Sequence, residues 1–251
     1  MILKGRGVSS GSIEGVVVKV DKPVSFLGDV DPESGIVFGE IDISDSIFVF
    51  PRGKGSTVGS YVIYQLKKNG TAPRAIVNEE TETIVAAGAI ISEIPLVDHI
   101  DISLLEKGDK VHLDGNTGEL ELLDIECSPV VTSFIMKEEK ILVVKRSEEV
   151  GSFTGRWSAI SGYLEMKDPL EQALKEIHEE TDMDVELVNS GEVVLGRGED
   201  HIWEVHPFLF ETRDEPRLNW ENTEYKWVDK EELRDLKTVP KLVEAYEAVE
   251  I

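Results

Sequence analysis

The chain has 251 residues, of which 41% are hydrophobic and 30% charged, and its formal net charge is −24. That length suits one large domain or two ordinary ones, and no apolar run approaches the ~20 residues of a membrane span. So strong an acidic excess argues against binding nucleic acid through its phosphates. The charge is uneven: residues 1–123 carry 19 acids and 11 bases (net −8), and residues 124–251 carry 31 and 15 (net −16). Residues 1–7 hold no hydrophobic signal segment. A single cysteine, Cys127, cannot form an internal disulfide and fits a reducing compartment. The expectation is a cytoplasmic protein with neither membrane nor nucleic-acid partners. One thiol also means that the chain cannot hold an iron–sulfur cluster alone, since such clusters are ligated by several cysteines.

In chain order, short β-rich runs at residues 16–20, 36–38 and 47–50 are separated by Gly, Pro and Asp clusters such as residues 28–32. A glycine-rich loop follows at residues 51–60, and residues 61–66 look like the start of a helix. Residues 75–78 form an expected strand, and residues 83–88 and 90–91 continue a βαβ-like alternation. Residues 111–114 and 119–122 flank the turn Gly115-Asn116-Thr117-Gly118 as a closing hairpin. A compact first domain over residues 1–123 is expected, then a linker at residues 124–128 and a second domain over residues 129–251.

The glycine-rich loop is not a P-loop, because Gly55 separates Lys54 from Ser56. A plain structural turn is one reading. The other is a nest of backbone N–H groups at a helix N-terminus, with Arg52 and Lys54 to hold an anion and Ser56 as the base or nucleophile. Residues 51–60, 70–78 and 94–98 closely resemble the small subunit of the aconitase X-type enzymes, the archaeal phosphomevalonate dehydratases, over roughly residues 1–123. The resemblance implies a swivelling β/β/α domain with Ser56 as proton acceptor. It also implies a cysteine-rich large subunit that supplies the iron–sulfur cluster, and dehydration of 5-phosphomevalonate in isoprenoid synthesis. Such a reaction needs a base at the α-carbon and a Lewis acid on the leaving hydroxyl. A serine serves as base only if its alkoxide is stabilised, here by the loop N–H groups and by Arg52 or Lys54. Arg74 is a further candidate for the substrate phosphate or carboxylate, with a surface salt bridge as its alternative. Residues 71–98 are also similar to phosphohistidine swivel domains, but those need a histidine in the glycine-threonine loop and none precedes His99.

In the second half, residues 130–136 and 141–145 read as a hairpin around residues 137–140, and residues 151–157 as a loop. Residues 203–210 suit a central strand, residues 220–228 another strand, and residues 240–249 a final amphipathic helix. Residues 161–165 look like a strand end entering a loop that feeds a helix. On that helix Glu176, Glu179 and Glu180 are three and four residues apart and share a face. Three carboxylates there suit magnesium or manganese with a phosphate co-ligand; a solvated acidic face is the plainer alternative. Leu170, Ala173, Leu174 and Ile177 form the apolar stripe, and His178 points away from the acids. Trp157, Phe153 and Trp203 are expected in the core rather than stacked on a ligand, and Cys127 is an incidental thiol.

Gly162, Lys175-Glu176, Glu179-Glu180 and Asp182 resemble the Nudix box. Lys175 stands for its arginine and Asp182 for its final glycine. The loop is slightly shortened, so the box glutamate is absent or replaced by Asp168, which with Lys175 would take the place of the usual acid–arginine pair. The resemblance implies an α/β/α sandwich, Mg2+ or Mn2+ on Glu176, Glu179 and Glu180, and hydrolysis of a small diphosphate-linked substrate. It further implies an acid outside the box as base or extra ligand, for which Glu221 and Glu224 are candidates. The expected architecture is therefore α/β (α+β) in two domains, with two catalytic modules fused. The alternative is a module that senses a diphosphate without cleaving it, joined to a structural partner subunit.

Overall fold

The computed structural model describes residues 1–198 and 201–251, and the chain divides into two units, Met1–Ile125 and Glu126–Ile251. The first unit opens with β1 (Ile2–Lys4), β2 (Arg6–Ser9) and β3 (Ser12–Lys19), followed by the one-turn α1 (Phe26–Asp29). A small sheet of β4 (Val30–Asp31), β5 (Ile36–Val37) and β6 (Ile41–Asp42) comes next. Then come β7 (Ile47–Arg52), α2 (Gly59–Asn69), β8 (Ala75–Glu80), α3 (Thr83–Ile91), β9 (Leu96–Asp98), β10 (Lys110–Asp114) and β11 (Glu119–Leu122). Residues 83–91, expected as two pieces, are thus a single helix, because Gly88 packs against Ile63 of α2 and does not break it.

The main sheet runs β1-β11-β10-β3-β7-β8-β9-β2, and β3, β7, β8 and β9 are parallel where they pair. Ile47, Phe48, Val49 and Phe50 are all fully buried, as expected of a parallel strand covered on both faces. Phe48, Phe50, Ile76 and Leu96 meet Val62, Ile63 and Leu66 of α2 and Val85 and Ala89 of α3. Helix α2 ends at Gly70, whose left-handed backbone (φ 74°) suits glycine, and the Gly70 N–H returns to the Lys67 carbonyl. At the edge of the sheet, Arg6 donates through Nε (3.0 Å) and Nη2 (2.6 Å) to both oxygens of buried Asp98. Burial alone would raise the Asp98 carboxyl, but the Arg6 fork and the Thr81 N–H hold it below the usual carboxylate range.

The second unit comprises β12 (Glu126–Lys137), β13 (Lys140–Arg146), β14 (Trp157–Ser158), β15 (Ile160–Tyr163), α4 (Pro169–Thr181), β16 (Glu186–Ser190), β17 (Val194–Arg197), β18 (His201–Glu211), β19 (Asn222–Val228), α5 (Lys230–Asp235) and α6 (Leu242–Glu247). Residues 126–128, expected as linker, begin β12 and pair in register with β18. The β12–β13 hairpin turns at Glu138 and Glu139, both with positive φ (50° and 65°), the backbone that a two-residue hairpin turn requires. β18 lies inside the sheet, parallel to β12 and antiparallel to β16 and β17.

Side chains alternate across this sheet, and each face has its own core. Phe134, Ile141, Val143, Val205 and Leu209 pack with Leu233 of α5 and Leu242, Ala245 and Tyr246 of α6. Val131, Ile135, Leu142, Val144 and Phe210 pack with Ala173 and Ile177 of α4. The result is a three-layer α/β/α sandwich. The expected stripe on α4 needs correction: Ala173 and Ile177 are buried, but Leu174 is 41% exposed, and polar Gln172 turns inward in its place. Among the described residues, no helix is long and apolar enough to cross a membrane.

Candidate functional site

Helix α4 begins at Asp168, whose side chain accepts from the Leu170 N–H (2.9 Å) ahead of Pro169 in the first turn. Asp168 is therefore a helix cap. It does not take part in an acid–lysine pair, since Lys175 faces Glu179 at 4.0 Å. The helix ends at Asp182, which adopts the left-handed backbone (φ 54°). That conformation explains why a glycine would suit the position, and Asp tolerates it better than most residues. Arg217 and Asn219 close this end, their N–H groups donating to the carbonyls of Thr181 and Glu180.

The three acids of α4 do not share one environment. Glu180 is 3% exposed, Glu176 is partly buried, and Glu179 points to solvent with 54% of its side chain exposed. Among the described residues, no group of three or more His, Cys, Asp or Glu side chains converges to hold a metal ion. Glu176 and Glu180 instead associate with Glu221, each lying within electrostatic reach of it. Of the two acids considered outside the helix, Glu221 joins this group. Glu224 does not, being bound to Lys145 at 2.6 Å. His178 is largely exposed, as expected.

Glu176 is held in place from two sides. Gln172 donates to its Oε1 at 2.6 Å and accepts from the Glu165 and Met166 N–H groups, fixing the loop to the helix. On the other side lies Gly162 of β15, where a Cβ would come within 2.6 Å of Glu176 Oε2 and closer still to its carboxyl carbon. The glycine is needed for this close approach, since its φ is not in the left-handed region. Replacing it should cost function more than stability, because the obstacle is the free end of a flexible side chain. Gly162→Ala is expected to shift stability by less than about 1 kcal/mol while weakening divalent-cation affinity roughly 10- to 100-fold. Thermal unfolding and a magnesium titration of the variant check both halves of this statement.

Electrostatics mark the same group. Burial pushes the Glu180 carboxyl up to about 8; the Asn222 amide, donating to Oε2 at 2.6 Å, opposes this, and Glu221 and Glu176 reinforce it. Burial likewise raises Glu176, against the Gln172 hydrogen bond. Among the described residues, Glu180 Oε1 is buried without a hydrogen-bond partner. A buried carboxylate with one open oxygen, beside two further carboxylates, is the donor set that a hard divalent cation satisfies. The chemistry of these side chains suits magnesium or manganese, for which Glu176, Glu180 and Glu221 would be the ligands, although no three of them converge in the arrangement described.

A cavity of about 500 Å3 adjoins these acids. Its lining includes the charged Glu176, Glu221, Glu165, Arg146 and Lys175 and the apolar Phe153, Trp203, Val205 and Leu242. Phe153 and Trp203, expected in the core, line the cavity with ring centroids 5.2 Å apart, and Trp203, partly buried, also packs against the core as expected. Trp157 is in the core, as expected. Sequence reasoning missed Gln172 and Asn222. The first was signalled by its spacing from Glu176, four residues on; the second had no local signal. The Cys127 thiol is pushed up by burial and by Glu204, so its reactive form is disfavoured.

In the first unit, Ser56 lies in the exposed loop between β7 and α2, at the C-terminal end of the parallel strands, where open α/β sheets bind ligands. Gly55 takes φ 104°, which demands glycine, and the Val58 N–H approaches Ser56 Oγ at 3.4 Å. Arg52 and Lys54 are exposed beside it, and Lys54 Nζ lies 3.6 Å from Asp29. Arg74 is elsewhere. It immediately precedes β8, next to Ser46 at the start of β7, and faces Asp45 at 3.6 Å. The length of the strands separates it from Ser56, so the salt-bridge alternative describes its position.

Residues 2–122 match the Aconitase X swivel domain family, and residues 128–249 match the NUDIX domain family. The chain belongs to both: it is an aconitase X swivel domain followed by a Nudix domain. Its first half matches the phosphomevalonate dehydratase small subunit of Thermococcus kodakarensis, 58% identical over 130 residues, or 49% of this chain and 98% of that protein. The same-named subunit of Methanosarcina acetivorans is 55% identical over 48% of this chain and 90% of its own length. Among solved structures, aconitase X from Thermococcus kodakaraensis in its holo-form matches with TM-score 0.48 and 58% identity over 49% of this chain and 98% of that chain. The MutT protein from Methanosarcina mazei Go1 matches with TM-score 0.44 and 22% identity over 50% of this chain and 94% of that one.

Proposed function

We propose that the chain fuses the small subunit of a phosphomevalonate dehydratase to a metal-dependent Nudix hydrolase. In the first half Ser56 is the proton acceptor for removal of water from 5-phosphomevalonate, in an archaeal type of isoprenoid synthesis. Arg52 and Lys54 beside it stabilise the alkoxide and hold substrate anions. The iron–sulfur cluster is outside this chain, whose one cysteine cannot ligate it, and belongs to a cysteine-rich large-subunit partner. Support comes from the near-complete coverage of curated small subunits at 58% identity.

In the second half Glu176, Glu180 and Glu221, with Glu179, hold magnesium or manganese beside the cavity, where a small diphosphate-linked substrate binds. The bound cation would lower the pKa of the attacking water and neutralise charge on the departing phosphate. The chain's own task is positioning: Gln172 and Gly162 orient Glu176, Asn222 orients Glu180, and Arg146 and Lys175 offer positive charge along the cavity. The observation that carries this reading is buried Glu180 with its unpartnered oxygen beside Glu176 and Glu221. Glu179 directed to solvent and Lys175 in the arginine's place favour a second reading, a module that binds a diphosphate without cleaving it.

Incubation of the full chain with magnesium and a panel of nucleoside, ADP-ribose and prenyl diphosphates separates the two. Hydrolysis is expected for at least one substrate and is lost on chelation. Tight metal-dependent binding with no phosphate release by any of them would replace the hydrolase reading with the sensor. For the first half, a cysteine-rich large subunit is expected to co-purify and to dehydrate 5-phosphomevalonate only when combined with this chain.

A further inference from the structure

Each of the three candidate metal acids has a carboxamide side chain beside it. Gln172 donates to Glu176 and Asn222 to Glu180, both at 2.6 Å. The third acid, Glu221, comes from the segment between β18 and β19, far from α4 in the chain. Asn219 Nδ2 lies 3.5 Å from Glu221 Oε1 and 3.3 Å from the Glu179 carbonyl oxygen, and Asn219 Oδ1 accepts from the Glu221 N–H at 2.9 Å. The Asn219 backbone N–H donates to the Glu180 carbonyl at 3.1 Å. One residue thus meets the turn of helix that carries Glu179 and Glu180, and both the backbone and the carboxylate of Glu221.

A carboxamide orients a carboxylate without cancelling its charge, which stays available to a cation; a lysine or arginine in the same place would compete with the metal. Other contacts anchor the loop at a distance from the acid. Glu215 accepts from Lys137 Nζ at 2.8 Å and Trp227 Nε1 at 3.0 Å, and Arg217 Nη1 lies 3.3 Å from Asp182 Oδ2. Magnesium tolerates little error in ligand position, so an acid borne on a loop must be fixed relative to the helix. We infer that Asn219 is a positioning residue for Glu221, tying the loop acid to the end of α4 beside Glu180. This rests on the metal reading above and deepens it. The plainer alternative is that Asn219 only closes the helix end, as Arg217 does.

The test is a double-mutant cycle on the full chain with Asn219→Ala, Glu221→Gln and their combination. Manganese affinity is read from the paramagnetic resonance signal of the free ion, magnesium affinity by calorimetry, and folding by thermal unfolding without metal. Asn219→Ala is expected to weaken manganese binding about tenfold or more. In the Glu221→Gln background the same change should alter affinity by less than about twofold, because the residue through which Asn219 acts is already gone. Arg217→Ala, which removes the ion pair to Asp182 from the same loop, should also stay within about twofold. Asn219→Ser keeps a hydroxyl to accept from the Glu221 N–H but cannot also span to Glu179 and the carboxylate; it replaces the alanine variant if that one unfolds, with the same loss expected. An equal loss in both backgrounds, an equal loss in Arg217→Ala, or no loss in a folded Asn219 variant would overturn the inference and leave Asn219 a helix-closing residue. Failure of the wild-type chain to bind either ion would instead remove the metal reading, and the inference with it.

Discussion

Glu180→Gln is expected to stabilise the second unit at pH 8.5 by several kcal/mol and to leave it unchanged near pH 4.5. The Glu180 carboxyl has an ordinary value of 4.5 and is raised to about 8 in the folded chain, chiefly by burial. Between those values the folded chain keeps a proton that the unfolded chain has released, so wild-type stability falls as pH rises through the window. A displacement of that size corresponds to roughly 5 kcal/mol, fully lost above about pH 8. Glutamine carries no charge to desolvate, and its carbonyl still accepts from Asn222. Magnesium should restore wild-type stability at pH 8.5, because a bound cation replaces the proton, and should have no such effect on the variant. All four tryptophans, at positions 157, 203, 220 and 227, lie in the second unit, so their fluorescence in a urea titration reports this unit alone. A wild-type curve flat from pH 5 to 8.5, or a variant less stable than wild type at pH 8.5, would show that Glu180 is ionised in the metal-free fold.

The second large effect is expected in the other half. Ser56→Ala in the reconstituted two-chain complex should slow dehydration about 10²- to 10⁴-fold, the usual contribution of a positioned general base. Stability should hardly change, because the side chain is exposed and its hydrogen bond from the Val58 N–H is long at 3.4 Å. Co-elution of the two chains shows that assembly is intact, and a substrate titration shows that binding is retained. An unaltered maximal rate in an assembled complex would remove Ser56 from the chemistry and leave the first unit a structural partner.

How far each half can be read without coordinates depends on how local the signal is. The β12–β13 hairpin, the closing β10–β11 hairpin and helix α4 are set by turn residues, caps and apolar spacing within a few positions of one another. Gly162 and Glu176 are fourteen residues apart, yet their meeting was legible because the resemblance to a known box links them. Glu221 and Glu224 could not be separated this way. Which of two acids near the start of a strand faces a cavity depends on the partner strand, and Lys145 on β13 claims Glu224.

The amino-acid sequence by itself determined two units, their families, the acidic helix and the serine loop, because composition, glycine positions and short-range periodicity carry that information. Only the tertiary structure decided that Glu179 faces solvent, that Gln172 replaces Leu174 on the buried side, and that Arg74 stands at the far end of its sheet from Ser56. Helical spacing defines neighbours on a cylinder but not the direction from which the sheet covers it. Likewise, a strand's sequence does not state which of its ends shares a surface with a distant loop. Burial is a property of what packs against a residue, and at these positions the packing partners lie tens of residues away in the chain.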